Sequence, residues 1–254
     1  AHLAAANSEL IADSNALTRV LAALGTARTA EGALSSALDA VRDAFGWAYG
    51  SYWRVQSDGA LHFVQESGDA GEEFRAVTLA ASFTEGVGLS GRAWKTRDLF
   101  FTRDIGEMTD CVRAPIAQKV GVKSGVCFPI VVHGDVVGTM DFFATATLDP
   151  SAERLEVLRT VGRQVGQTFE RLRENENINQ AMADSAAVNK VLGALTAATS
   201  PADAAQIALD TVRDAFGWAY GPYWKVQEDE APHFRSEEGA VGDECRTSRA
   251  QAKE

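Results

Sequence analysis

Apolar residues along the first part of the chain recur at helical spacing and then change period. Leu10, Leu17, Val20, Leu21 and Leu24 predict an amphipathic helix over residues 10–24. Leu34, Leu38, Val41 and Phe45 predict a second over 30–45, stopped by Gly46. From residue 47 the period falls to two: Tyr49, Ser51, Trp53 and Val55 alternate with their neighbours, which predicts a strand over 47–55. A Gln-Ser-Asp-Gly turn at 56–59 leads into a hairpin partner over 61–65, and 77–83 reads as a weaker strand.

Gly86, Gly88 and Gly91 form a loop that opens a short helix over 90–95. A short strand at 99–102 follows, then a helix over 109–121 interrupted by Pro115. Strands at 122–132 and 136–144 flank a His-Gly-Asp turn. Asp149-Pro150-Ser151 starts a long helix over 151–172, with Glu153 favourable in its first turn. Leu155, Leu158, Gly162, Val165, Phe169 and Leu172 form a heptad seam, which can pack on the domain's own sheet, on a partner chain, or on both. Helices flanking an antiparallel sheet give an α+β class.

An internal repeat sets the domain organisation. Residues 41–53 read VRDAFGWAYGSYW and residues 212–224 read VRDAFGWAYGPYW, differing only at Ser51 against Pro222. The same offset aligns IADSNALTRVL at Ile11 with MADSAAVNKVL at Met182, and His62-Phe63 with His233-Phe234. The expectation is a tandem duplication: a complete domain over 10–172, a helical linker over 173–181, and the first half of a second copy over 182–254. The second copy reaches Glu254, the counterpart of Phe83. Half a sheet would leave it incompletely packed, and the chain is expected to be a fragment of something longer.

Within the first copy, GVGLSGRAWKTRDLFFTRDI (residues 86–105) and GVKSGVCFPIVVHGDVVGTMDFF (residues 121–143), followed by the long helix after Pro150, resemble the GAF family. The resemblance implies a GAF/PAS-like six-stranded antiparallel sheet with helices on both faces. Terminal helices would cover one face and make homodimer contacts. Small helices would cap the other over a ligand pocket. It further implies a sensory role coupled to an output domain, as in histidine kinases or chemoreceptors with tandem domains.

Composition narrows the partners. A formal net charge of −11 argues against nucleic acid and against anionic lipid, both of which need Lys and Arg at the contact. No apolar run is long enough to span a membrane. Three cysteines without a CxxC spacing support neither a disulfide framework nor a zinc site, and fit a reducing, cytoplasmic compartment.

The candidate ligand-binding residues are Trp94, Phe101, Asp104, Met108, Cys111, Arg113, Cys127 and Asp141. Cys111 is expected at the start of the pocket-side helix, near Arg113, where a thiol pKa would fall. Both it and Cys127 also read as small core fillers. Asp141 shares a strand face with Thr139 and Phe143, and can point into the pocket or out of it. Trp94, Phe100, Phe101 and Met108 can line a cavity or simply pack.

No cofactor is specified. The family's bilin attachment uses a Cys-His pair, and Cys111 is followed by Val112, which argues against a bilin. Of His2, His62, His133 and His233 none is placed as an axial ligand, which argues against haem and against a metal site. The string GVGLSG has no following lysine and is not a phosphate loop. No catalytic set stands out, so the expected role is a sensor and not an enzyme. The alternatives are a ligand-free dimerisation module and a thiol enzyme, for which the motif of the GAF-type methionine sulfoxide reductases is not evident.

Overall fold

The computed structural model describes residues 2–217 together with the strands 223–226 and 232–235. The chain divides into two compact units, Ala1–Glu176 and Asn177–Glu254. In the first unit the chain runs α1 (His2–Thr26), α2 (Ala30–Phe45), β1 (Tyr49–Val55), β2 (Leu61–Gly68), α3 (Glu72–Ala80), β3 (Ser82–Phe83), α4 (Gly88–Thr96) and β4 (Phe100–Thr102). It continues through a 3₁₀ turn (Ile105–Glu107), α5 (Ala114–Val120), β5 (Gly125–Val132) and β6 (Asp135–Phe143). The last helix, α6 (Ala152–Leu195), begins in this unit.

Six antiparallel strands form one sheet in the order β3-β2-β1-β6-β5-β4. β6 is one of the two central strands and pairs with β5 in a hairpin that sets Cys127 opposite Asp141 and Phe128 opposite Met140. β1 lies along the other side of β6 and places Ser51 opposite Asp141.

One face is covered by α1, α2 and α6. Thr29 caps α2 by accepting the Gly32 N–H at 3.1 Å, and Gly46 ends it in the left-handed conformation at φ 73°. The buried stripe Leu34, Leu38, Val41 and Phe45 joins Tyr52, Val126, Phe128, Met140 and Phe142 from the sheet. The α6 seam closes the same core with Leu158, Val165, Phe169 and Leu172, so the seam packs on its own sheet. Gly162 lets α6 approach closely: a Cβ there would stand 2.9 Å from the Phe128 ring.

The opposite face is capped by α3, α4, the 3₁₀ turn and α5, over a core containing Tyr49, Phe74, Leu89, Ile105, Ala117, Val122 and Phe143. Two expected elements change here. Residues 77–80, expected in a strand, belong to α3, which buries Phe74 and Thr78 four residues apart behind Glu72 and Glu73 in its first turn. Only Ser82–Phe83 of that stretch is strand. The helix expected over 109–121 begins at Ala114. Pro115 is at its first turn, where its missing N–H costs nothing, and so marks a start and not an interruption.

α6 runs on through residues 173–181 to Leu195 without a break. The second unit begins at Asn177. There α7 (Pro201–Phe216) is capped by Ser200, which accepts the Asp203 N–H at 3.1 Å. α7 contains no buried residue, whereas α2, its counterpart in the repeat, contains seven. β7 (Tyr223–Val226) pairs antiparallel with β8 (Pro232–Arg235). Cys245 and residues 236–254 lie outside the described residues. Among the described residues no helix is long and apolar enough to cross a membrane.

Candidate functional site

The period-two alternation of β1, β5 and β6 delivers one row of side chains to the capped face. Ser51 on β1, Asp141 on β6, Cys127 on β5 and Phe100 on β4 are successive cross-strand neighbours. Met140 and Phe142 point the other way, into the helix-side core. Asp141 therefore stands in the middle of the sheet, and its side chain has no solvent exposure.

A carboxylate buried this deeply needs partners, and Asp141 has four. Ser51 Oγ donates to Oδ1. Trp53 Nε1 donates to Oδ2 at 3.0 Å, and Ser90 Oγ donates to Oδ2 at 2.8 Å. The fourth partner is a cation: Arg113 Nη2 reaches Oδ2 at 2.6 Å, with its own side chain equally buried. The same Nη2 lies 3.4 Å from Ser90 Oγ.

Three aromatic rings enclose the guanidinium. Its Cζ lies 4.7 Å from the Phe143 ring centroid, 4.9 Å from Phe83 and 5.2 Å from Trp53, all within cation–π range. Burial alone would pull Arg113 down in pKa, but the charge and hydrogen bond of Asp141, with Cys111 and Cys127 nearby, together hold the guanidinium above its ordinary value. Nε and Nη1 of Arg113 have no hydrogen-bond partner among the described residues. The hollow expected beneath the cap is thus occupied by the chain's own arginine.

Local backbone geometry makes this arrangement reachable. Gly86 and Gly88 adopt φ of 88° and 65°, turning the chain into α4 so that Ser90 faces the sheet. Gly91 follows against the Thr84 carbonyl, where a Cβ would stand 2.2 Å from the oxygen. On the other side of the cap, Asp110 accepts the Gly88 N–H at 3.1 Å and an Arg92 Nη2 hydrogen bond at 3.1 Å. That ties the turn carrying Arg113 to the start of α4.

The expected site residues divide three ways. Arg113 and Asp141 form the centre. Met108, Cys111 and Cys127 are buried in the surrounding capped core, and Trp94 is partly buried against the neighbouring cluster of Trp53, Leu61 and Phe83. Phe101 and Asp104 do not reach the site. Phe101 is opposite Val126 and packs on the helix side of the sheet, because β4 presents Phe100, not Phe101, to the cap. Asp104 caps the 3₁₀ turn and pairs with Lys123 at 3.0 Å. Cys111 precedes α5 in a turn instead of starting a helix, and is 5% exposed. Burial, with Asp141 nearby, pushes the Cys127 thiol well above its ordinary pKa, so it stays protonated.

Ser51, Trp53, Phe83, Ser90 and Phe143 were not among the expected site residues. The signal for Ser51 lay in the repeat: the single position that differs within the 13-residue match carries the hydroxyl bonded to Asp141, and Pro222 has none.

Two other features lie away from the cap. A groove of about 350 Å³ opens between α6 and the β5–β6 end of the sheet, lined in part by Arg97, Leu99, Phe128, Arg159 and Arg163. Its cations are already paired, the half-buried Arg159 with Asp98 at 2.9 Å and the exposed Arg163 with Glu156 at 2.9 Å. It offers no convergent buried polar groups of the kind that recognise a ligand. His133, expected to be simply solvated, is held in the β5–β6 turn at φ 50° with Nδ1 2.7 Å from Glu170. Together with Glu174 these residues place one potential ligand atom each within 4.8 Å of one another, though His133 and Glu174 are exposed.

Comparison with known proteins agrees with this architecture. A family model described as a GAF domain matches residues 27–170. Among solved structures, the GAF domain of an Acinetobacter phosphoenolpyruvate-protein phosphotransferase superposes with a TM-score of 0.52 at 14% identity, covering 65% of this chain and 97% of its own. The free methionine-R-sulfoxide reductase of Neisseria meningitidis, in complex with its substrate, gives 0.53 at 16% identity, covering 64% and 91%. A biliverdin-bound protein in its far-red absorbing dark state gives 0.50 at 18% identity, covering 62% and 99%. At these identities the likeness is one of fold. No curated protein matches the chain in sequence.

Proposed function

The chain belongs to the GAF domain family, and we propose that its first unit is a cytoplasmic sensory module that binds a small molecule beneath the α3–α5 cap. The observation that carries this reading is the Arg113–Asp141 pair. It is a fully buried charge pair that joins the turn before α5, part of the cap, to the centre of the sheet. Buried polar groups converging in an apolar enclosure are what a recognition site requires. Two of the structural relatives carry small molecules, a substrate and a biliverdin, which supports a ligand role for this fold without naming the ligand here.

Signalling follows from what the elements share. Asp141 is on β6, whose other face packs Met140 and Phe142 into the core that α6 closes. A ligand that binds one cap position better than another shifts the cap, and through the sheet the packing of α6. α6 then leads out of the unit towards the repeat copy and any output domain. Leu10 and Ile11 on α1, 54% and 63% exposed, supply an apolar surface for a homodimer through the terminal helices.

Thiol catalysis is not part of this proposal, because Cys127 is fully buried and held as the thiol, and Cys111 is nearly buried. The filled interior favours one second reading, a ligand-free structural module. A thermal-shift screen of the full chain against amines, amino acids, nucleotides and small anions separates the two. A sensor gains stability with a specific compound, and Asp141→Asn abolishes the gain. A structural module gains with none.

A further inference from the structure

Asp141, Ser51, Ser90 and the rings of Trp53, Phe83 and Phe143 make up a receptor for an organic cation, and the cation in it belongs to the chain. The guanidinium of Arg113 is held by a carboxylate at 2.6 Å, with Ser90 Oγ 3.4 Å from the same nitrogen and three ring centroids within 5.2 Å. Charge-assisted hydrogen bonding combined with aromatic faces is the chemistry by which proteins take up guanidinium and ammonium groups.

Arg113 is a tethered occupant. It enters from the turn before α5, a part of the cap, while every other member belongs to β1, β3, β6 or the first turn of α4. Its fit is incomplete, since Nε and Nη1 have no acceptor among the described residues and buried unpartnered donors are costly. The turn that carries it is fastened to α4 through Asp110, which is partly exposed and depends on one N–H and one arginine.

We propose that the ligand of this site is a small organic cation bearing a guanidinium or primary ammonium group, and that it acts by taking the place of Arg113. The proposal rests on the sensory reading of the capped face. Exchange of one cation for another leaves Asp141 paired throughout. An anion bound to the free Arg113 donors would bring a second negative charge beside a buried carboxylate, and a neutral ligand that expelled Arg113 would leave Asp141 unpaired; both are unfavourable in a dry interior. Expulsion of Arg113 moves the 109–113 turn, so occupancy is read directly as a change in the cap. The full site belongs to the first copy, because the repeat replaces Ser51 with Pro222.

The test uses Arg113→Ala in the full chain, which removes the tethered cation and keeps the rest of the receptor. Methylguanidinium at millimolar concentration should raise the melting temperature of this variant, with a gain that grows with the logarithm of concentration, and should shift the Trp53 indole N–H resonance. Methylurea, of similar shape but uncharged, and acetate, an anion, should do neither. Asp141→Asn added to Arg113→Ala should remove the response. Wild type should need at least about tenfold more methylguanidinium, because Arg113 competes for the box.

Equal rescue by methylurea or acetate, or rescue by no probe, overturns the proposal. Should Arg113→Ala fail to fold, Arg113→Lys serves instead. A shorter and weaker occupant predicts tighter methylguanidinium binding than wild type, and unchanged binding refutes displacement. A neutral or anionic compound that binds wild type and alters hydrogen exchange in 103–121, when methylguanidinium does not, leaves the sensory reading standing and removes the cation. Methylguanidinium bound without any change in 103–121 removes displacement as the signal, and with it the sensory reading.

Discussion

Arg113 and Asp141 are 28 residues apart in sequence and 2.6 Å apart in space, and neither side chain touches solvent. One belongs to the cap and the other to the centre of the sheet, so their contact joins the two layers. Breaking a buried pair from one side strands a charge and typically costs about 3–5 kcal/mol. Arg113→Met and Asp141→Asn should each lower the unfolding free energy of the first unit, read from urea titration, by an amount of that order. The double variant should lose less than the sum, because no charge is left unpaired. Strict additivity in a double-mutant cycle would mean the two groups do not act on one another.

Cys127 sets a pH dependence. Its folded pKa is raised well above the ordinary value by burial and by Asp141, so the folded chain keeps a proton that the unfolded chain releases above about pH 8.5. Below that pH both states hold the proton and the thiol makes no difference. Above it the unfolded state binds fewer protons, so stability falls as pH rises, by up to about 1.4 kcal/mol per pH unit for one group. Cys127→Ala should flatten the slope between pH 8.5 and 10 whatever its effect at neutrality. Urea unfolding at several pH values gives the slope. Tyr49 and Tyr52, also raised by burial, add to the decline only at more alkaline pH.

Gly91 holds α4 against residues 84–86. A Cβ 2.2 Å from the Thr84 carbonyl oxygen meets backbone that cannot give way cheaply. Gly91→Ala should displace α4, draw Ser90 away from Asp141, and cost about 1–3 kcal/mol. Gly25→Ala, where a Cβ meets nothing within 4 Å, is the control and should be neutral or stabilising. Melting temperatures of the pair provide the comparison.

The exposed α1 residues test the assembly. If α1 forms a homodimer surface, Ile11→Glu should yield a monomer by light scattering with little change in melting temperature, since Ile11 is 63% exposed within the chain. A dimer that survives Ile11→Glu places the interface elsewhere.

Local signals made much of the fold legible. α2 has its expected bounds because Thr29 and Gly46 supply a cap and a stop that act within one turn. The β5–β6 hairpin followed from two apolar runs around His-Gly-Asp. Misreadings arose where two periods fit one stretch. Val77, Leu79 and Phe83 alternate, but the Glu72–Glu73 start and the Phe74–Thr78 spacing make α3. The site was legible only in part. Arg113 is legible as a cation beside Cys111 and Asp141 as a polar residue on one face of its strand, whereas Ser51 is 90 residues from Asp141 and meets it only through the β1–β6 register. Phe101 was misplaced by one position on β4, which in a strand is the opposite face.

Hydrogen exchange in the full chain, wild type against Arg113→Met, bears most directly on the claim that this pair fastens the cap to the sheet. Amides in 103–121 should exchange about tenfold faster or more in the variant, while those of α2 and the centre of β6 keep their protection. Unchanged exchange in 103–121, or an equal loss of protection throughout the first unit, would contradict it.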